Sequence, residues 1–366
     1  MGFKCGIVGL PNVGKSTLFN ALTQTASAAS ENYPFCTIEP NIGQVPVPDA
    51  RLHEIAKIAK SAKAIETRLM FVDIAGLVRG ASKGEGLGNK FLGNIREVDA
   101  IIHVLRCFED EDVTHVEKQI SPTSDAGTVE TELMLSDLER LERKKEALIK
   151  RLRGNDKEAK AALPVVEGLI ALLAAGKPGG LFQPKDADEK RIVKNLQLLT
   201  TKPVLYVANV GEQEAAAGNA YSRQVQDMAK ANGAGAVVIS AAIEAEIALM
   251  ARAEQKEFLA AIGLTETGLS KVIRAGHKLL DLITFFTAGP KAARSWTVRK
   301  GAKAPKAAGV IHGDFEKGFI RAETISYPDY AALGGEQGAR DAGKMRLEGK
   351  DYVVQDGDVM HFRFAN

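Results

Sequence analysis

With 366 residues, 45% of them hydrophobic and 26% charged, and a formal net charge of +2, the chain reads as a soluble globular protein of two or three domains. No apolar run approaches the roughly 20 residues that span a bilayer, which excludes a helical membrane protein. The three cysteines, Cys5, Cys36 and Cys107, form neither a disulfide framework nor a metal-ligand spacing, which suits a reducing cytoplasm.

The N-terminus runs straight into an apolar strand, Phe3 to Val8, and leaves no room for a signal peptide. Gly2 does not predict myristoylation, because no Ser or Thr stands at the sixth position. Next comes Gly9-Leu10-Pro11-Asn12-Val13-Gly14-Lys15-Ser16-Thr17, which fits G-x-x-x-x-G-K-[ST], followed by the helical pattern Ser16 to Leu22. Strand, glycine loop and helix in this order form a phosphate-binding loop. Gly9 and Gly14 let successive N–H groups turn inward, and the helix N-terminus adds positive potential. Lys15 is predicted to reach the β- and γ-phosphates and the Ser16 hydroxyl to bind Mg²⁺.

Apolar runs alternate with helical patterns over residues 3–110, which predicts a mostly parallel sheet wrapped by helices. In the loop 31–41, Thr37 is placed to coordinate Mg²⁺ and sense the γ-phosphate. The strand from Leu69 ends in Asp73-Ile74-Ala75-Gly76, a D-x-x-G. Asp73 is expected to hold Mg²⁺ through water, and the Gly76 N–H to touch the γ-phosphate. Leu77 stands where a Ras-like switch has its water-orienting glutamine, so water must be activated otherwise or hydrolysis is slow. Residues 78–89 are too glycine-rich for fixed structure and read as a mobile switch. A further strand covers 100–108, with His103 a core or helix-facing residue, and is followed by the acidic loop 109–112. His115 is a candidate replacement for the glutamine, against the alternative of a surface histidine.

Residues 128–199 interrupt this pattern. Met134, Leu138, Leu141, Leu148 and Leu152 give an amphipathic helix with coiled-coil character, and Gly154-Asn155-Asp156 turns the chain into a second helix from Lys157 to about residue 175. Pro164 is expected to kink or restart that helix, and a third runs over 186–199. The charged face is either solvated or a projecting arm for a partner. The sheet resumes at 203–208 and ends in Asn209-Val210-Gly211-Glu212, where a guanine switch carries N-K-x-D. Asn209 is expected at the base. Val210 replaces the lysine and Glu212 the aspartate, and adenine offers a carboxylate no donor at N1. The two changes therefore point away from guanine. The strand at 237–239 ends in Ser240-Ala241, whose main-chain N–H groups back the base in such switches.

G-L-P-N-V-G-K-S-T at 9–17, P-F-C-T-I-E-P-N at 34–41, D-I-A-G-L-V at 73–78, G-A-S-K-G-E-G-L-G-N at 80–89 and N-V-G-E at 209–212 together resemble the YchF subfamily of Obg-like ATPases over essentially the whole chain. The resemblance implies an α/β P-loop NTPase G domain over 1–127 and 200–279, a helical coiled-coil insertion over 128–199, and a C-terminal β-grasp (TGS) domain over 280–366. It implies ATP in preference to GTP and nucleotide binding by Asn12, Val13, Gly14, Lys15, Ser16 and Thr17. Ser16 and Thr37 would lie on Mg²⁺ and Asn209 on adenine. It also implies association with ribosomes, either the large subunit or the whole particle, and roles in translation and stress response. Asn12 resembles relatives that use K⁺ as an extra positive charge.

Residues 263–280 read as a linking helix. The stretch 291–306 holds Arg294, Arg299, Lys300 and Lys303 without an acidic residue, which predicts RNA contact, whereas Trp296 belongs to the domain's own core. His312, Asp314 and Glu316 suggest a hydrolytic or metal cluster but fit a turn between strands better. The reading that unites these features is a cytoplasmic, slow ATPase switch that binds ribosomes. The alternatives are an RNA-binding protein whose nucleotide only tunes affinity, and a GTPase. Oxidation of Cys36, beside Thr37, is a further hypothesis about regulation.

Overall fold

The computed structural model describes residues 3–30, 41–74, 87–110 and 120–365. Contacts divide the chain into two units, one of 1–43 with 70–272 and one of 44–69 with 273–366. Residues 44–69, which the sequence suggested belonged with the first domain, thus group with the C-terminal residues. Their helix Ala50–Ile58 explains why: it buries Leu52 and Ile55 in a cluster with Phe286, Ala293, Ile325 and Tyr330.

The strands in chain order are β1 (Lys4–Val8), β2 (Ile42–Pro46), β3 (Ala64–Ile65), β4 (Arg68–Asp73), β5 (Ala100–Arg106), β6 (Val204–Asn209), β7 (Gly235–Ile239), β8 (Leu282–Thr287), β9 (Ala293–Arg299), β10 (Phe319–Ser326), β11 (Arg346–Glu348) and β12 (Asp358–Phe364). The first sheet has the order β2-β4-β1-β5-β6-β7 and pairs β4, β1, β5, β6 and β7 in parallel. Every residue of β5 is buried, as befits a central parallel strand covered on both faces. Register matters for function. Ile7 pairs with Asp73, Val8 with His103, Arg106 with Asn209, and Asn209 with Ile239. The segments after β1, β4, β5, β6 and β7 therefore leave the sheet along one edge, where ligands of open α/β sheets bind.

The insertion opens with helix Pro122–Leu152, and helix Lys157–Ala174 returns along it. Leu141, Leu148, Val166, Leu169 and Leu173 form their shared core. Asp156 caps the second helix by accepting from the Glu158 and Ala159 N–H groups. That helix runs unbroken through Pro164, contrary to the expected restart. Pro164 and Lys160 are exposed, so water can take the Lys160 carbonyl that proline leaves without its helical donor. The hairpin is fastened by Asp137, fully buried, whose carboxylate accepts from the Leu199 N–H (3.0 Å), the Thr200 N–H (2.8 Å) and the Thr200 hydroxyl (2.8 Å).

In the second unit the order is β11-β10-β12-β8-β9-β3. β8 and β9 form an antiparallel pair, as do β10 and β12, while β12 and β8 are parallel. Trp296 packs on this unit's core and donates Nε1–H to the Thr287 hydroxyl, in keeping with a core role. His312 accepts from the Asp314 N–H at 3.3 Å, so the suspected cluster is the cap of a short helix, Gly313–Lys317. Two helices, rather than a turn, occupy the space between β9 and β10.

Candidate functional site

The loop after β1 is built as its sequence demands. Gly14 has φ +93°, and a Cβ there would lie 2.2 Å from Asn209 Nδ2; a Cβ on Gly9 would lie 2.5 Å from the Val104 carbonyl oxygen. Asn12 adopts φ +62°, a left-handed conformation that asparagine tolerates. Helix Lys15–Ser30 starts directly from the loop, so its first N–H groups face the space the loop encloses.

Lys15 is 8% exposed and donates Nζ–H to the Leu10 carbonyl at 2.6 Å. Burial pushes its ammonium down to about 8, against the opposing pull of Asp73. Burial likewise raises the Asp73 carboxyl above the usual carboxylate range, opposed by Lys15, and Asp73 Oδ1 is buried with no hydrogen-bond partner among the described residues. The pair thus holds a cation and an incompletely satisfied oxygen next to the loop. Ser16 and Thr17 are exposed and Val13 is buried.

At the other end a cavity of about 690 Å³ is lined by Asn12, Gly14 and Thr17, by Phe108 to Asp110, by Asn209 to Glu214, and by Ser240 to Ala242. Asn209 is a brace here. Its Nδ2 donates to the Val13 carbonyl and its Oδ1 accepts from the Ala241 N–H, both at 2.9 Å. One amide hydrogen and one lone pair remain for a ligand. The Ala241 N–H, expected to face a base, is taken up by that brace. Ser240 lines the cavity, and its Oγ is buried without a hydrogen-bond partner among the described residues. Val210 is 2% exposed and packs with Leu105, Tyr206 and Val225, while Glu212 is exposed at the start of the turn Glu212–Glu214.

The wall from Phe108 to Asp110 was missed in the sequence, as was Arg106 behind it. Arg106 is 2% exposed; its Nε donates to the Phe108 carbonyl (3.1 Å), its NH2 to the Asp110 carbonyl (3.2 Å), and its guanidinium lies 4.6 Å from the Phe108 ring centre. The available signal was the position of these residues just past the strand that pairs with the phosphate-loop strand. His103 is in the core, as expected. Burial, reinforced by Lys15, drives its imidazole down to about 3, so it is neutral at pH 7. Thr37, Gly76, Leu77, His115 and Cys36 lie outside the described residues. Of the glycine-rich stretch, Leu87, Gly88 and Asn89 open the helix Leu87–Arg96.

Residues 4–137 match a family model described as a 50S ribosome-binding GTPase, and residues 282–365 match the YchF-GTPase_C model, described as a protein of unknown function. Over 366 residues the chain is 57% identical to the Ribosome-binding ATPase YchF of Pasteurella multocida, covering all of this chain and 99% of that protein. The chain belongs to the YchF family. It is also 50% identical to the Ribosome-binding ATPase YchF of Bacillus subtilis, with both chains covered in full. Among solved structures, the YchF GTPase of Schizosaccharomyces pombe superposes with a TM-score of 0.89 at 37% identity, over 99% of this chain and 98% of that one. The YchF match covers both units, so the phosphate loop, the helical hairpin and the C-terminal sheet belong to one family architecture. Among the described residues no helix is long and apolar enough to cross a membrane.

Proposed function

We propose that the chain is a ribosome-binding ATPase that hydrolyses ATP to ADP and phosphate, prefers ATP to GTP, and works in the cytoplasm as a translation or stress-response switch. The observation that carries this is the single cavity that joins the phosphate loop, at Asn12, Gly14 and Thr17, to Asn209 and Ser240, in a chain whose curated relatives are named ribosome-binding ATPases. The triphosphate lies on the loop 12–17, where backbone N–H groups and Lys15 take the charge that builds up as water attacks the γ-phosphorus and the bond to the bridging oxygen breaks. Lys15 gives up its contact with the Leu10 carbonyl to do so. The donors offered by Ser16, Thr37 and Asp73 are hard oxygens, and the unpartnered Asp73 Oδ1 fits a role beside Mg²⁺. When bound, magnesium neutralises phosphate charge. Asn12 extends the loop toward a site for K⁺.

The base enters between Asn209 and Phe108. Burial of Val210 in the sheet core leaves no lysine stem over the base, and exposed Glu212 sits one methylene longer than the aspartate that pairs with guanine. Gly76, Leu77 and His115 complete the reading, with Gly76 sensing the γ-phosphate and His115 substituting for the absent glutamine. The parts would divide as G domain (1–127 and 200–279), arm (128–199) and β-grasp TGS domain (280–366). RNA contact is assigned to 291–306. Of that stretch Lys303 is paired with Asp351 at 2.6 Å, Lys306 lies 3.4 Å from Glu316 and Arg294 stacks 4.6 Å from the Trp296 ring centre, so exposed Lys300 would contribute most.

Equilibrium binding of ATP and GTP analogues with Mg²⁺ tests the base assignment. Tighter ATP binding is expected; a GTP preference would move the reading to a ribosome-associated GTPase. Sedimentation of Lys15→Ala with ribosomes tests the switch. Loss of nucleotide-dependent binding is expected, whereas unaltered binding with full cellular function would make hydrolysis incidental.

A further inference from the structure

β7 is the last strand of the first sheet, and no strand pairs with its outer edge among the described residues. On the inner side the Ile239 carbonyl accepts from the Val210 N–H. Successive residues of a strand turn their N–H and C=O groups to opposite neighbours, so those of Ala236 and Val238 point away from the sheet. They have no hydrogen-bond partner among the described residues. An open edge of this kind is a template for another strand, and Gly235 to Ile239 hold neither a charge nor a proline to discourage one. A groove of about 390 Å³ lies against the edge. Ala236, Val237 and Val238 line it, with the loop 215–218, Arg223 and Gln226 of helix Ala220–Ala231, and Lys271 of helix Gly268–Leu279. We propose that this edge and groove are a docking site for an extended acidic segment of a partner protein, added to the sheet as a further strand.

Three observations select that occupant. First, the charged residues of the lining are Arg223 and Lys271, both basic and carried by different helices. Neither has an ion-pair partner among the described residues, although Asp227 stands one turn from Arg223. The carboxylate whose charge Lys271 meets, that of Glu244, is buried and accepts from the Gly268 N–H (2.6 Å) and the Leu269 N–H (3.0 Å). Second, the outward amides repeat at strand spacing, which an extended main chain satisfies and a small anion does not. Third, Val237 and Val238 are half-buried on opposite faces of β7, so alternate side chains of an added strand meet an apolar neighbour on either face. A second copy of this chain fits poorly, because a symmetric pairing would set the same cations of two grooves against one another.

The groove shares no lining residue with the nucleotide cavity, and the inference does not rest on the ATPase reading. The test uses the full chain and a fluorescein-labelled peptide of about nine residues that alternates valine and glutamate, read by anisotropy beside the same peptide with lysine for glutamate. The acidic peptide should bind at least about tenfold tighter. Arg223→Glu combined with Lys271→Glu should remove that preference. Ala236→Pro deletes one outward N–H and leaves the ladder to β6 whole, a change an edge strand accepts, and should weaken the acidic peptide about fivefold. N-methylation of alternate peptide amides, in each of the two registers, makes the same test without altering the protein; one register should lose binding. Equal binding of the two peptides, or wild-type protein that binds neither, overturns the proposal. Loss in the charge variant with full binding by Ala236→Pro and by both methylated peptides would mean that the groove takes acid without pairing backbone, and removes the added strand. A wild-type dimer that Ala236→Pro dissociates would put a second copy on the edge instead. ATP turnover in these variants should equal that of wild type, and its absence from wild type would sink the ATPase reading alone.

Discussion

The two ends of the candidate nucleotide site are made differently. The phosphate end is one continuous segment, residues 9–17, and most of what it offers is backbone. The opposite end is assembled from three strand exits, 108–110, 209–214 and 240–242, and much of what it offers is side chain, with Asn209 braced on the main chain of Val13 and Ala241. Backbone recognition leaves little freedom, because the glycines must be glycine. Side-chain recognition leaves a great deal, because Asn209, Arg106 and Ser240 act through packing that other residues could support.

The largest expected effect comes from breaking the junction of the two ends. Gly14 is where they touch, since a Cβ there would meet Asn209 Nδ2 at 2.2 Å on a backbone with φ +93°. Gly14→Ala should therefore displace the Asn209 brace as well as strain the loop, at a cost of roughly 3 kcal/mol. Calorimetry should show ATP and tripolyphosphate binding both reduced by about 100-fold or more. A variant that lost ATP but kept tripolyphosphate would mean that the loop tolerates the change.

Lys15 sharpens the comparison from the phosphate end. Burial holds its folded pKa at about 8, below the 10.5 of an unfolded chain. Between these values the unfolded state binds more protons, so this group makes stability rise with pH from about 8 to 10.5, by up to about 3 kcal/mol. Nucleotide affinity should move the other way, because the free protein sheds above pH 8 the charge that phosphate needs. Denaturation and ATP titrations across pH 7–10 check both slopes. Lys15→Met should flatten both, and parallel slopes would contradict the account.

Arg106→Met probes the base end. The substitution leaves the Phe108 and Asp110 carbonyls without their guanidinium donor inside the protein, a loss of about 3 kcal/mol in stability. ATP affinity should fall about tenfold, the equivalent of 1.4 kcal/mol. Tripolyphosphate, which needs only the other end, should bind as before. Equal losses for both ligands would mean that Arg106 supports the whole sheet edge rather than the wall.

This difference also sets what could be read from the sequence. The loop at 9–17 was legible because anion capture by backbone requires particular glycines at particular spacing. The parallel sheet was legible because β1, β5 and β6 are apolar on both faces. Arg106 was not, since a charged residue in the last position of an apolar strand looks like the strand's exposed end; its role shows in the fold-back of its guanidinium onto the Phe108 and Asp110 carbonyls. The double use of Asn209 was hidden because Val13 and Ala241 come near it only through the register of β6 and β7. Residues 44–69 were misleading for a similar reason. In sequence they fall between β2 and β4 of the first sheet, but Leu52 and Ile55 find their apolar partners at Phe286 and Ile325.

The smallest effect is the most discriminating one. Ser240 Oγ is buried, lines the cavity and has no partner among the described residues. An unpaired buried hydroxyl costs free energy, so Ser240→Ala should leave stability unchanged or raise it by up to about 1 kcal/mol. If the hydroxyl is kept for the base, the same substitution should weaken ATP binding about fivefold, close to 1 kcal/mol, and leave tripolyphosphate untouched. A site residue that lowers stability and raises affinity is strained in the free state for the ligand's benefit. A Ser240→Ala protein with wild-type ATP affinity would instead make the hydroxyl an internal packing defect and leave base recognition to Asn209 and the main chain.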